Sequence, residues 1–197
     1  MARNASKNSP GFKSITSFKS RLTGGGARPN LFEVELNFPT GVDTGGDLLD
    51  KSRFLVKAAA LPASTLAPIE VPFRGRILKI AGDRTFETWT ITVINDTDFT
   101  IRSAFEKWSQ LVNSMENGTG RTDPDSYQKD ATVYQLNRDG GVLRAYRFYD
   151  IWPTNISTID LNYETVDTVE DFTVEMQVHW WQAQAGTADG SGGVDIN

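Results

Sequence analysis

The chain has 197 residues, 39% hydrophobic and 23% charged, with a formal charge of −5, the balance of a folded unit long enough to bury a core and not of a disordered one. It has no cysteine and a single histidine, His179, which excludes disulfides, thiol catalysis, thiolate metal sites and most Ser-His and multi-His zinc chemistry. No apolar run nears the roughly 20 residues of a membrane-crossing helix, and the N-terminus has no apolar signal core, so no membrane insertion is expected.

Residues 1–27 are rich in Ser, Lys, Asn and Gly and close on Gly24-Gly25-Gly26, the composition of a flexible arm and hinge. Phe12, Ile15, Phe18 and Leu22 recur there at helical spacing, so a short amphipathic helix is expected on contact with a partner. A single domain is expected over 28–181. Phe32, Val34, Leu36 and Phe38 alternate with Glu33, Glu35 and Asn37 as in a half-buried strand. Residues 39–52 read as a Gly- and Asp-rich loop, and Phe54 to Lys57 as the start of a second strand. The three prolines between Leu61 and Pro72 predict extended chain poor in ladder bonds. Ile77, Leu78 and Ile80 then lead to a turn expected at Gly82-Asp83.

Trp89, Ile91 and Val93 alternate with threonines, a clear strand pattern. One helix is expected next, capped by Asp98, with Ile101, Ala104, Phe105, Trp108, Leu111, Val112 and Met115 on its apolar stripe and an end at Asn117-Gly118. Residues 131–138 and 142–151 form a hairpin turning at Asp139-Gly140-Gly141. Alternation over Ile159, Leu161 and Tyr163 predicts another strand, and Phe172 to Trp181 a last one. Residues 182–197 are a polar tail. The order of strands, one helix, then strands excludes doubly wound and TIM-barrel folds. It predicts a mainly β fold: two packed antiparallel sheets in a sandwich or half-open barrel flanked by a helix.

Charge is uneven. Residues 1–30 sum to +6, residues 31–150 to −3 and residues 151–197 to −8. The arm is either a solvated tail or a segment that docks on an acidic neighbour of the same kind, and an acidic body disfavours binding of nucleic acid. No phosphate-binding Gly-rich loop, dinucleotide fingerprint or His-Glu-x-x-His is present. His179 reads as a packing or interface residue, Asp123-Pro-Asp125 as a turn, and Asp189 to Asp195 lacks the ligand pattern of a calcium loop. No catalytic, cofactor or metal residue is assigned, and no enzyme activity or cofactor is expected.

Four stretches taken in order resemble the tail tube proteins of contractile-tailed bacteriophages: Ala27 to Glu35 (ARPNLFEVE), Lys57 to Pro62 (KAAALP), Ile80 to Asp96 (IAGDRTFETWTITVIND), and Trp152 to Asn155 (WPTN) with the strand running to Trp181. The family is related to the tube proteins of type VI secretion. The arm, loop 39–52 and the tail depart from its short form. The resemblance implies a structural virion protein whose hexameric rings complete a continuous inner β-barrel and stack into the hollow tail tube for genome delivery. It also implies assembly in the host cytoplasm and a place inside the sheath. The implied partners are copies of itself, the sheath protein, the tape measure protein, the baseplate initiator, the tail terminator, and double-stranded DNA that passes without specific binding. A tube of an extracellular injection system, or an initiator or terminator ring, are the alternatives left open. Asp160, Asn162, Glu164, Glu175 and Gln177 are expected to face the lumen, because acidic and neutral side chains would not retain phosphates. Arg74, Arg76, Lys79, Arg84, Leu61, Pro62 and Pro68 are the expected subunit or ring contacts.

Overall fold

A computed structural model describes residues 14–42 and 47–185. Phe12, the middle of loop 39–52, the Asp189 to Asp195 segment and the rest of the tail from 186 lie outside the described residues. Helix α1 (Ile15–Arg21) starts at Ser14, whose hydroxyl accepts from the Ser17 amide at 3.1 Å. The helix is therefore present within one chain, and Ile15 and Phe18 are 73% and 64% exposed. Strand β1 (Phe32–Leu36) follows.

The expected loop 39–52 is corrected at its second half, which is helix α2 (Leu48–Leu55), with the Asp47 carboxylate accepting from the Asp50 amide at 3.1 Å. Phe54 and Leu55 end this helix, so β2 (Val56–Ala59) is shorter than expected. The proline-bearing segment is also corrected. It is the long strand β3 (Ser64–Phe73), paired along its length with β4 (Arg76–Phe86). Proline is tolerated because, among the described residues, β3 has only one neighbour, and an edge strand can place a missing N–H away from the ladder. The hairpin turns at Arg74 and Gly75, both at positive φ (47° and 81°), and not at Gly82-Asp83. Gly82 lies instead opposite the register shift between Leu66 and Pro68, where an added Cβ would stand 2.5 Å from the Ala67 carbonyl oxygen. The bulge requires glycine for close backbone approach.

Strand β5 (Trp89–Ile94) buries alternate residues as expected. Helix α3 (Thr100–Val112) is capped by Asp96 and not Asp98: the Thr100 amide donates to Asp96 Oδ1 at 3.2 Å, while Phe99 takes φ 51°. It stops at Val112, before Asn117-Gly118, and Met115 is 78% exposed, off the apolar stripe. Pro124 begins the short helix α4 (Pro124–Tyr127), which occupies the Asp123-Pro-Asp125 segment. Strands β6 (Lys129–Leu136) and β7 (Val142–Ile156) form the hairpin expected around Gly140. No strand forms over 157–170; Leu161 and Tyr163 alternate there without a surface to cover, and both are exposed. The last run divides into β8 (Asp171–Gln177) and β9 (Trp180–Ala185), which continues past Trp181.

Among the described residues the strands make one seven-stranded antiparallel sheet, ordered β1-β6-β7-β8-β5-β2 with β9 also on β7, and a separate β3-β4 ribbon. Both β8 and β9 pair with β7 in nearly constant register, Trp152 with Gln177 and Tyr149 with Trp180. The break between them at Val178 and His179 lies opposite Asp150, which takes φ 55°. The long ribbon thus bends once, and a positive-φ residue in one strand opposite a break in the other is the means of bending a pleated pair. The bend divides the sheet into a first half (β1, β6, β9 and the start of β7) and a second half (β2, β5, β8 and the end of β7). The halves face each other across one core, where Trp89 of β5 stacks on Phe148 of β7 at 4.4 Å. Helix α3 buries Ile101, Ala104, Phe105 and Trp108 in that core. Truncating aromatic side chains buried to this degree costs about 3–5 kcal/mol in general. The fold is mainly β, two antiparallel layers with one principal helix, as the sequence predicts.

Candidate assembly surfaces

Alternation along the second half decides what it presents outward. Trp89, Ile91 and Val93 on β5 and Phe172, Val174 and Met176 on β8 are buried. The residues between them therefore point away from the core. Register places Thr90 beside Glu175, Thr92 beside Thr173, and Asn155 of β7 beside Glu175. Lys57, at the margin of β2, pairs with Asp171 at 2.6 Å. The result is a wall of hydroxyls, an amide and carboxylates whose marginal cation is already neutralised. Glu175 and Gln177, expected to face a lumen, stand on this wall. Asp160, Asn162 and Glu164 do not; they lie in the loop over 157–170, where Asn162 Oδ1 accepts from the Glu164 amide at 3.0 Å in a local turn.

Sheet margins differ in how they are finished. On β1 the outer margin is filled by Ser52 of α2. Its hydroxyl accepts from the Leu36 amide at 3.2 Å and lies 2.7 Å from the Leu49 oxygen and 3.1 Å from the Val34 oxygen, to one of which it donates. Ser52 is fully buried, and a side chain that occupies a strand edge blocks pairing by another chain. Among the described residues β2 pairs only with β5 and β9 only with β7. Among those residues, β2 therefore leaves one row of backbone donors and acceptors open. The sequence carried no signal for the edge-filling role of Ser52, because a serine in a Gly- and Asp-rich stretch resembles loop composition.

Helix α2 is tied to both layers. Arg53 pairs with Glu35 of β1, and the Tyr134 hydroxyl donates to the same carboxylate at 3.0 Å. Burial, then the hydrogen bond to Glu35, raises the Tyr134 pKa above its ordinary value. Lys51 donates to Asp96 at 2.7 Å and to the Thr100 hydroxyl at 2.8 Å, and reaches Asp98 at 3.6 Å.

The β3-β4 ribbon carries Pro68, Arg74, Arg76, Lys79 and Arg84 of the expected contact residues, while Leu61 and Pro62 precede it. Arg74 is in its turn, 5.4 Å over the Phe73 ring; Lys79 pairs with Glu70 at 3.4 Å; Arg84 donates to Ser64 at 3.4 Å. Arg76, Pro68 and Leu61 are exposed, whereas Pro62 is buried within the chain. Pairing of Ile69 with Ile80 and Val71 with Leu78 puts those four and Phe73 on one face, each between 40% and 67% exposed. The sequence hides this strip, because Pro68 and Pro72 interrupt an otherwise plain alternation. His179 is exposed at the β8–β9 break, where its amide donates to the Tyr149 oxygen at 3.3 Å.

Comparison with known proteins places this geometry. The family model described as phage tail tube protein matches residues 27–184. Tail tube protein gp19 of Enterobacteria phage T4 is 34% identical over 157 residues, covering 79% of this chain and 91% of that one. Among solved structures, a chain of the baseplate of the anti-feeding prophage aligns with TM-score 0.59 at 13% identity, over 81% of this chain and 96% of that one. A chain from the sheath-tube complex of an extracellular contractile injection system aligns with TM-score 0.56 at 13% identity, over 88% and 99% respectively.

Proposed function

Because this chain belongs to the phage tail tube protein family, we propose that its copies close into hexameric rings and that the rings stack as the inner tube of a contractile phage tail. The role is structural and not catalytic. The sheath lies outside and the tape measure protein and then duplex DNA lie inside. The baseplate initiator and the tail terminator stand at the two ends, and assembly takes place in the host cytoplasm.

The observation that carries this reading is the second half of the sheet, polar on its outward face and unfinished at β2. Bare strand edges seek partners, and closing copies around a ring finishes them. With four strands from each copy the ring holds about 24; at ~4.8 Å spacing and a tilt near 40° its backbone diameter is roughly 45–50 Å. Duplex DNA passes through such a bore after side chains are added.

We assign the outward face of this half to the bore wall, with Glu175 and Gln177 on it and Asp160, Asn162 and Glu164 at its rim. Basic side chains there would displace counterions from phosphates and hold the genome. Hydroxyls and carboxylates instead repel it over a screening length of about 8–10 Å. The 34% identity to a phage tail tube protein over most of both chains supports the phage tail over an injection particle or an end ring. Replacing Thr173 and Glu175 together by Lys should leave tubes of normal length while slowing DNA delivery at least several-fold, measured as genome ejection from assembled particles. Unchanged delivery would remove the electrostatic assignment of the wall.

A further inference from the structure

Helix α1 has two distinct sides. At about 100° per residue, Ile15, Phe18 and Leu22 fall on one stripe, with Lys19 on one flank and Arg21 on the other, while Thr16, Ser17 and Ser20 take the opposite side. An apolar stripe of this kind is ordinarily laid against a core, yet α1 buries none of its residues. A helix of seven residues is marginal in water by propensity alone, so a partner that covers the stripe also holds the helix. Residues 1–30 contain no acid, and among the described residues Lys19, Arg21 and Arg28 make no ion pair.

The loop over 157–170 is the complementary surface. Its ends are fixed. The Ser157 amide donates to the Thr173 oxygen and the Thr173 amide to the Ser157 hydroxyl, both at 2.8 Å. The Asn95 amide donates to the Glu170 oxygen at 2.9 Å and its side chain to the Glu170 carboxylate at 2.7 Å. Between these ties the loop encloses a hollow of about 900 Å³, lined in part by Ile159, Leu161, Tyr163 and Val169. Leu161, Tyr163, Val166 and Val169 are each at least 72% exposed. Asp160, Glu164 and Asp167 make no ion pair among the described residues, and the chain has no Lys or Arg after Arg147. A connection of this length without strand or helix is a property of segments with a role of their own. The β3-β4 ribbon leaves the sheet beside Trp89, where the Glu87 amide donates to the Ala63 oxygen at 3.3 Å, and the loop leaves at the other end of β5, where Ile94 pairs with Asp171.

Neither surface covers the other within one chain. β1 begins beside the start of β7, since Phe32 pairs with Gln135 and Gln135 with Arg144. The loop leaves the far end of β7, after Ile156. We propose that α1 of one copy seats in the 157–170 loop of a neighbouring copy, with Ile15, Phe18 and Leu22 in the hollow and Lys19 and Arg21 against Asp160, Glu164 and Asp167. The proposal rests on the tube reading above, which holds copies in fixed contact. Exposed apolar surface rimmed by charge marks an interaction site. Here an acid-free helix meets a cation-free loop, so helix-to-helix and loop-to-loop contacts oppose like charges. With its two members rooted at opposite ends of β7 the contact is heterologous, each copy giving one helix and receiving one. The family model matches from residue 27, so α1 precedes the matched region. It acts as a strap that adds resistance to dissociation to a tube built by the rest of the chain.

The test uses the full chain grown on its nucleating baseplate. The absence of cysteine permits a direct reading: rods of F18C/Y163C should give a ladder of disulfide-linked copies on oxidation, while either single variant should give none. Adding K19E/R21E should lower the linked fraction at least tenfold, and adding D160R/E164R to that chain should restore it. I15S/F18S should leave rods of normal length, seen by electron microscopy, whose guanidinium midpoint of dissociation is lower than that of the unaltered chain. No ladder, a linked fraction unmoved by charge reversal, an unshifted midpoint, or a monomer linked within itself would overturn the contact between copies. A ladder that disappears when sheath protein is added would also overturn it and give α1 to the sheath. Rods that form without these links remove only this contact, whereas failure of the unaltered chain to give any rod would overturn the tube reading itself.

Discussion

At the scale of single residues, Lys51 holds the second helix against the start of the third. Burial pushes the Asp96 carboxyl up, but the hydrogen bonds from Lys51 and from the Thr100 amide outweigh it and hold its pKa below 3.8. The hydrogen bond to Asp96 likewise raises Lys51 above 10.5 against a smaller loss from desolvation. A depressed carboxyl contributes stability that is complete above its unfolded value and is lost as pH falls through the folded one. The raised amine contributes below its unfolded value and loses that contribution as pH rises through the folded one. Lys51→Met should therefore lower the urea midpoint at neutral pH, and its gap from the unaltered chain should narrow as pH falls below 3.8. A gap that stays constant into acid would show that the ion pair is not the source. None of this pairing was legible in the sequence, where Lys51 closes a loop-like stretch and Asp98, not Asp96, looked like the cap. Helix periodicity locates a start only to within a residue or two.

Elements were legible where burial enforces alternation. β1, β5, the β6-β7 hairpin and β8 each have one face on the core, so their sequences carry a period of two. The segment over 159–163 has the same period and forms no strand, because alternation reports a strand only when something covers the apolar side. The prolines of β3 and Gly82 of β4 mislead for a related reason. Their usual meaning as breakers changes when a strand has one free edge or faces a bulge. Helix α2 was hidden by its composition, yet its Ser52 finishes β1. Ser52→Ala should leave the buried Leu36 amide without its acceptor and cost about 1–3 kcal/mol, read as a shift of the denaturant midpoint at unchanged slope. No measurable loss would mean that the β1 margin is satisfied in another way.

For the whole molecule, one physical idea links the parts: a bent sheet with a filled margin at β1 and, among the described residues, an open margin at β2 is specified to be completed by further copies. The bend at Asp150 and the break at Val178 and His179 turn a polar half-sheet outward as a wall. The ribbon and the loop extend from opposite ends of it. Of the candidate positions, the sequence placed Glu175 and Gln177 on a polar strand face and the arginines on the ribbon. It did not show that Asp160 and Glu164 lie in a loop, because their alternation reads as a strand and none forms there. The most direct test is electron cryo-microscopy of rods grown from the purified chain on its baseplate, at a resolution that separates strands. The account predicts hexameric rings with Thr90, Thr92, Thr173 and Glu175 turned toward the bore. A chain that stays monomeric in the presence of the baseplate, or rods that turn this face toward the sheath, would contradict it.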